Sequence, residues 1–379
     1  MGLLIIHIGA GNHSKSKRSQ YKRLLVTALN QDGFREASRI IEQSKLTNTG
    51  YGSSLDLSGC VECDASFIEV SDKIRTGALV GIDDSMTPIT RMLEVYGKVG
   101  AIYERWRRFG LTAPILMNYG KWRQMAERNK DPRLRQDDNI SGLSQEIYSQ
   151  EGHGSSNNFT NHAGLVTNDL LILPEAQKIY DTYQGHLFGD SNPYVIPELA
   201  HEITDTIGVI EIGSKTTIAT SSGGNFFKLP GRIGCAGVIG TAIGFARVNN
   251  VEISCMCSGN GEDIMKMELA NFLVNSVYDE AEDEYRDYGN FMVNKIKEHS
   301  QQYDLSSVNA DGKIIVYVGA ILVIKYLQSG RSRIIYCHST ESFYFGYRDG
   351  GEPNIVVSSL NNVDRAGISF AYGEFLVLG

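Results

Sequence analysis

The chain has 379 residues, of which 42% are hydrophobic and 21% charged, and its formal net charge is -8. That length exceeds what one small core fills, and the composition excludes both a disordered chain and one built around long apolar spans. The negative balance disfavours nucleic acid and anionic membranes as partners, because both attract basic faces.

Leu3 to Ile8 is an apolar run closed by Gly9-Ala10-Gly11, the pattern of a buried strand leading into a turn. These glycines lack the rest of a G-x-G-x-x-G spacing, so no nucleotide site is expected. The start has no basic n-region and too short an apolar stretch for a signal peptide, which implies an intracellular protein. Cytoplasm is the expected location, with nuclear entry through the arginines at Arg105, Arg107 and Arg108 as the alternative. Six cysteines in such a chain read as free thiols, and the pairs Cys60/Cys63 and Cys255/Cys257 have no histidine at zinc-finger spacing, so no metal is expected.

Further along, Leu24 to Glu42 reads as a helix, Thr47 to Gly59 as turn-rich chain, Val61 to Val70 as a strand and Pro88 to Phe109 as a helix. The segment from about 112 to 205 changes character. Lys121 to Asp138 is highly charged and Ser141 to Asn161 is rich in Ser, Gly, Asn and Gln, which predicts a mobile surface insert. Order returns at Ile207 to Ile212 and Lys215 to Ser221, two strands about Gly213-Ser214, hence a hairpin. Asp263 to His299 supplies one or two helices, and Ile314 to Tyr326, Arg333 to Tyr347 and Ile368 to Leu378 supply further strands. Strands at both ends with helices between them predict a layered α/β or α+β fold.

The boundary Asp205-Thr206-Ile207-Gly208 sets a threonine between a carboxylate and a strand. A threonine hydroxyl needs a base, and an N-terminal threonine carries one in its own α-amine. That amine titrates at about 7.7 to 8.0, so a useful fraction is neutral near physiological pH. From the dipeptide alone, however, Thr206 reads more simply as a β-branched residue starting a strand.

The surrounding text changes that balance. Asp205 to Gly240 contains a threonine-led strand, the turn Thr220-Ser221-Ser222-Gly223-Gly224 and the loop Pro230-Gly231-Arg232-Ile233-Gly234, in that order. This resembles the N-terminal-nucleophile asparaginase family. His7 to Lys17, Thr47 to Ser53, Glu62 to Ser66, and His338 to Ser342 followed by Gly346-Tyr347 are similar to threonine aspartase, an endopeptidase within that family. The resemblance covers most of the chain outside about 112 to 204.

What it implies is specific. The fold would be α+β, a four-layer αββα sandwich of the N-terminal nucleophile hydrolase type. Self-cleavage between Asp205 and Thr206 would give an α fragment of residues 1 to 205 and a β fragment of residues 206 to 379. These would stay associated as an αβ heterodimer that pairs again into a dimer of αβ units. Thr206 would be the nucleophile and Ser222 would orient it. Arg232 would hold a substrate carboxylate through its planar fork. Ser258 and Gly259, in the Ser258-Gly259-Asn260-Gly261 turn, would face substrate or oxyanion. Asn48 and Lys17 match family positions near the site. No cofactor is needed, since nucleophile and base belong to one residue.

One departure bears on the substrate. Family members acting on free asparagine generally carry an aspartate after P-G-R-x-G, where it binds the α-ammonium; here the residue is Cys235. A neutral thiol cannot hold that charge. The expected function is therefore a threonine endopeptidase cutting after aspartate in protein or peptide substrates. The alternatives are an L-asparaginase or isoaspartyl dipeptidase, and a non-catalytic binding relative.

Overall fold

A computed structural model describes residues 2–128, 167–188, 206–278, 286–309 and 311–377. Asp205 and much of the 112 to 205 segment lie outside the described residues.

Two sheets organise the chain. The larger has the order β12-β11-β1-β5-β6-β2-β3-β4, with β1 Leu3–Gly11, β2 Cys63–Val70, β3 Ile74–Ile82, β4 Leu116–Asn118, β5 Ile207–Ile212, β6 Thr216–Ser222, β11 Ser342–Asp349 and β12 Asn354–Ser359. The smaller runs β13-β10-β9-β8-β7, with β7 Ile243–Val248, β8 Val251–Gly259, β9 Val318–Tyr326, β10 Ser332–His338 and β13 Ala371–Val377. The hairpin expected around Gly213-Ser214 is present as β5 and β6.

The period of two along each strand sends alternate side chains to opposite faces. In the large sheet, Leu3, Ile5, Ile68, Ile210, Ile218, Phe343 and Phe345 share one core with Met256, Ile321, Val323 and Ile334 of the small sheet. The opposite face, including Leu4, Ile6, Ile8, Ala65, Val209 and Tyr344, packs with residues of helices α1 Arg18–Leu29, α2 Phe34–Glu42 and α3 Pro88–Trp106. On the small sheet, Cys255, Cys257, Leu322 and Ile335 pack with residues of α7 Gly261–Lys266, α8 Leu269–Tyr278 and α9 Tyr288–Ser300.

Several elements differ from the sequence-based expectation. The single helix expected over Leu24 to Glu42 is two, because Asn30-Gln31-Asp32-Gly33 breaks it and Gly33 adopts φ +94 ahead of α2. Within the segment expected to be an insert, β4 pairs in parallel with β3, and α4 Tyr119–Arg128, α5 Asn168–Leu171 and α6 Pro174–Phe188 are helical. Tyr119 and Leu171 are fully buried. Those helices have apolar positions that the charged and polar average of the segment conceals. All six cysteines are free thiols.

The loop between α2 and β2 is anchored by close backbone approach. Gly50 has φ +55, and a Cβ there would stand 2.2 Å from the Met86 carbonyl oxygen and 2.5 Å from that of Glu42. Gly50→Ala is therefore expected to cost roughly 3 kcal/mol of stability, from overpacking against backbone together with a strained φ. Urea unfolding of the variant beside wild type reads that loss directly; an unchanged midpoint would mean the loop can move aside.

Candidate functional site

Thr206 is 1% exposed and stands immediately before β5. Its own strand alternation places it on the face of Gly208, Ile210 and Ile212, toward the small sheet. In the β5–β6 ladder Ile207 faces Ser221, so one further step sets Thr206 opposite Ser222. Ser222 in turn faces Asp64 on β2. Thr206, Ser222 and Asp64 thus form a row across three adjacent strands, all directed between the sheets. The hairpin creates this row because a two-strand antiparallel register pairs the residue before one strand with the end of the next.

Cys235 lies in a short 3-10 turn, 3% exposed, with its Sγ 3.7 Å from Thr206 Oγ1. The thiol noted from sequence as the departure is thus in contact with the proposed nucleophile. Thr241 Oγ1 donates to the Cys235 carbonyl at 2.7 Å and holds the turn.

The turn after Ser222 is built from the outside. Asn48 accepts from the Gly223 amide through its carbonyl at 2.8 Å, and its Nδ2 donates to the Gly224 carbonyl at 2.8 Å. Its Oδ1 accepts from the Ser54 amide, also at 2.8 Å. Asn48 therefore clamps the turn. Ser222 Oγ accepts from the Gly224 amide at 3.0 Å.

Behind the row, on the helix-covered face, Ser221 Oγ donates to Glu42 Oε1 at 2.6 Å and the Ile89 amide donates to the same oxygen at 2.9 Å. Thr49 Oγ1 lies 2.8 Å from Ser221 Oγ and is the donor there, since the serine proton is already committed. Burial pushes Glu42 up to about 8, against weaker opposing effects of its bonds to Ser221 and Ile89. Between about 4.5 and 8 the folded protein therefore keeps a proton that the unfolded chain has lost. Stability should fall as pH rises through that window. Glu42→Gln, a neutral isostere, is expected to flatten this slope in urea titrations run at pH 6 and pH 9. Parallel slopes for the two proteins would show that Glu42 is already ionised when folded.

The remaining residues singled out from sequence fall as follows. Arg232 is near the turn, but its fork is closed on Glu262, with Nε to Oε1 at 2.8 Å and Nη2 to Oε2 at 2.6 Å. The Ser258 hydroxyl accepts from the Ala10 amide at 2.9 Å, tying β8 to β1 across the two sheets. Gly259 ends β8 at φ +129, and Asn260 caps α7 by accepting from the Glu262 and Asp263 amides. Lys17, itself half-buried, ends a short 3-10 turn past β1 whose other two residues are exposed.

Three contributors were not singled out as site residues from sequence: Glu42, Lys228 and Glu262. Lys228 is 6% exposed and its Nζ donates to the Glu62 carbonyl. Asp64 was quoted only inside a motif. Its Oδ2 accepts from the Gly234 amide at 2.7 Å and its Oδ1 from the Gly81 amide at 3.1 Å, while burial raises its pKa. Among the described residues no cluster of three or more His, Cys, Asp or Glu could hold a metal ion, and no helix is long and apolar enough to cross a membrane.

The sequence model of the family described as Asparaginase matches residues 127–329, more than half of the chain and the span that holds Thr206, Ser222, Arg232 and Cys235. The chain belongs to this asparaginase family of N-terminal-nucleophile hydrolases. It is similar to the plant-type L-asparaginase of Pyrococcus furiosus, 24% identical over 286 residues covering 71% of this chain and 78% of that one. The plant-type L-asparaginase of Pyrobaculum calidifontis is 25% identical over 294 residues, covering 71% and 78%. That of Pyrococcus horikoshii is 22% identical over 293 residues, covering 71% and 77%.

Proposed function

We propose that the chain cuts itself between Asp205 and Thr206 and then works as a threonine endopeptidase that hydrolyses peptide bonds after aspartate in protein substrates. In maturation, Thr206 Oγ attacks the Asp205 carbonyl, the peptide nitrogen leaves as the new α-amine, and water resolves the ester. In turnover, that amine takes the Oγ proton as the hydroxyl attacks the substrate carbonyl. The acyl-enzyme is then hydrolysed. Ser222, opposite Thr206 in the ladder, orients the nucleophile.

The observation that carries the choice of substrate is Cys235, a neutral and buried thiol 3.7 Å from Thr206 Oγ1. A free amino acid brings an α-ammonium that needs a carboxylate there, whereas a peptide brings an uncharged amide nitrogen. Retained association of the two fragments is supported by the sheet order. Strands β1 and β2 of residues 1 to 205 pair with β5, β6 and β11 of residues 206 to 379. Separation would break all three ladders and the core beneath them. The three cores, one between the sheets and one under each helix set, support the four-layer αββα reading. Pairing of two αβ units is part of the same proposal.

The second reading, an L-asparaginase, is favoured by the plant-type L-asparaginases to which the chain is similar. The matured protein offered an aspartate-containing peptide library, L-asparagine and β-aspartyl dipeptides in parallel separates the two. Cleavage after aspartate supports the peptidase; ammonia release from asparagine with intact peptides sinks it.

A further inference from the structure

Glu42 is a buried acid that the chemistry at Thr206 leaves unused. It ends α2, is fully buried, and gathers two donors onto one oxygen, the Ser221 hydroxyl at 2.6 Å and the Ile89 amide at 2.9 Å. Its other oxygen, Oε2, has no hydrogen-bond partner among the described residues. A carboxylate would leave a bare charge there, whereas a neutral acid leaves one unpaired O–H, a far smaller cost. No cation offsets the charge. Glu36 and Arg39 of α2 pair with each other, as do Arg91 and Glu94 of α3, and β6 presents the Ser221 hydroxyl. Burial and the two bonds at Oε1 are the influences on its proton.

What this acid holds is the end of β6. Ser221 is gripped from the helix side by Glu42 and by Thr49 Oγ1 at 2.8 Å, and Gly223 and Gly224 are gripped by Asn48. Ser222 lies between the gripped residues. Strand alternation turns Ser221 toward the helices and Ser222 the opposite way, toward Thr206, so a shift of one moves the other. The Ile89 bond ties the same point to the start of α3.

We propose that Glu42, as the neutral acid, is a positioning residue for the nucleophile: through Ser221 it fixes where Ser222 stands, and its ionisation loosens the turn and limits turnover on the alkaline side. Loss of the proton puts an uncompensated charge behind the turn, and the chain relieves it by easing α2 away from β6. The inference rests on Thr206 as the nucleophile and is the same for a peptide or an asparagine substrate.

The test follows turnover against pH with the full matured chain, on whichever of an aspartate peptide or L-asparagine it hydrolyses. Wild type should give a bell, its acid limb set by the Thr206 amine and its alkaline limb by Glu42. Glu42→Gln keeps an acceptor at Oε1 and cannot ionise, so it should retain most of the wild-type kcat at pH 7 and lose the alkaline limb. At pH 9 wild type should lie roughly tenfold below it, as one pH unit beyond the midpoint requires. Glu42→Leu, of similar size without the acceptor, should lower kcat roughly tenfold with KM little changed. A second readout needs no substrate. Amide exchange over residues 221 to 224, corrected for the intrinsic rate, should quicken in wild type between pH 7 and pH 9 and hold steady in Glu42→Gln. The same alkaline limb in both proteins overturns the proposal, as does turn exchange that stays equal in the two at pH 9. Should wild type hydrolyse neither substrate while its turn exchange quickens and that of Glu42→Gln does not, the functional reading falls and the positioning role stands.

Discussion

Thr206→Ala is expected to leave the chain at its full mass of 41.8 kDa indefinitely, while wild type yields a fragment beginning Thr-Ile-Gly-Val. In the proposed mechanism one hydroxyl performs both reactions. Without it the Asp205 carbonyl meets no internal nucleophile, and no N-terminal amine is ever exposed to act as base. Turnover should fall by roughly 10³-fold or more, the scale seen when a group acting in the bond-making step is removed. Thr206→Ser keeps the hydroxyl and should retain maturation at reduced rate. Intact mass followed over time, with N-terminal sequencing of any new fragment, reads all three proteins. A new fragment from Thr206→Ala at the same bond would place the nucleophile elsewhere.

Cys235→Asp should move the enzyme toward free asparagine. The variant sets a carboxylate where the thiol now lies 3.7 Å from Thr206 Oγ1. A charge-assisted bond from an α-ammonium to that carboxylate is worth about 1.5 to 3 kcal/mol, so asparagine hydrolysis should rise roughly 10- to 100-fold over wild type. Peptide cleavage should decline, because the new charge is then buried without a partner. Cys235→Ser, with the same size and no charge, serves as the control and should show neither change. Ammonia release and peptide cleavage measured on the same preparations give the comparison. An aspartate variant that folds, matures and gains no asparagine hydrolysis would remove Cys235 as the determinant of substrate choice.

The two predictions rest on residues of different legibility. Thr206, Ser222, Asn48 and Cys235 stand in short contiguous motifs, and the structure brings all four to one end of the large sheet. Arg232 was legible as a cation of the right geometry, but the partner that closes its fork was not. Glu262 lies 30 positions downstream in the first turn of α7, and nothing in the local pattern ties the two together. Lys228 reads locally as one lysine after two phenylalanines; its burial is a consequence of packing. Glu42 reads as the polar end of a helix, and only the fold turns it inward onto Ser221, 179 positions away.

The same division holds for the architecture. Alternating and continuous apolar runs determine strands at Leu3, Val61, Ile207 and the C-terminal third, because strand periodicity depends on neighbours two positions apart. The hairpin at Gly213-Ser214 is equally local, since turn chemistry needs only those residues. What tertiary structure decided was pairing across distance: β1 between β5 and β11, β2 beside β6, and the two sheets face to face over one core. Those choices follow from burying two apolar faces at once, a condition no single segment carries. They also bring the threonine of one strand, the serine of its neighbour and the thiol of a distant turn into contact.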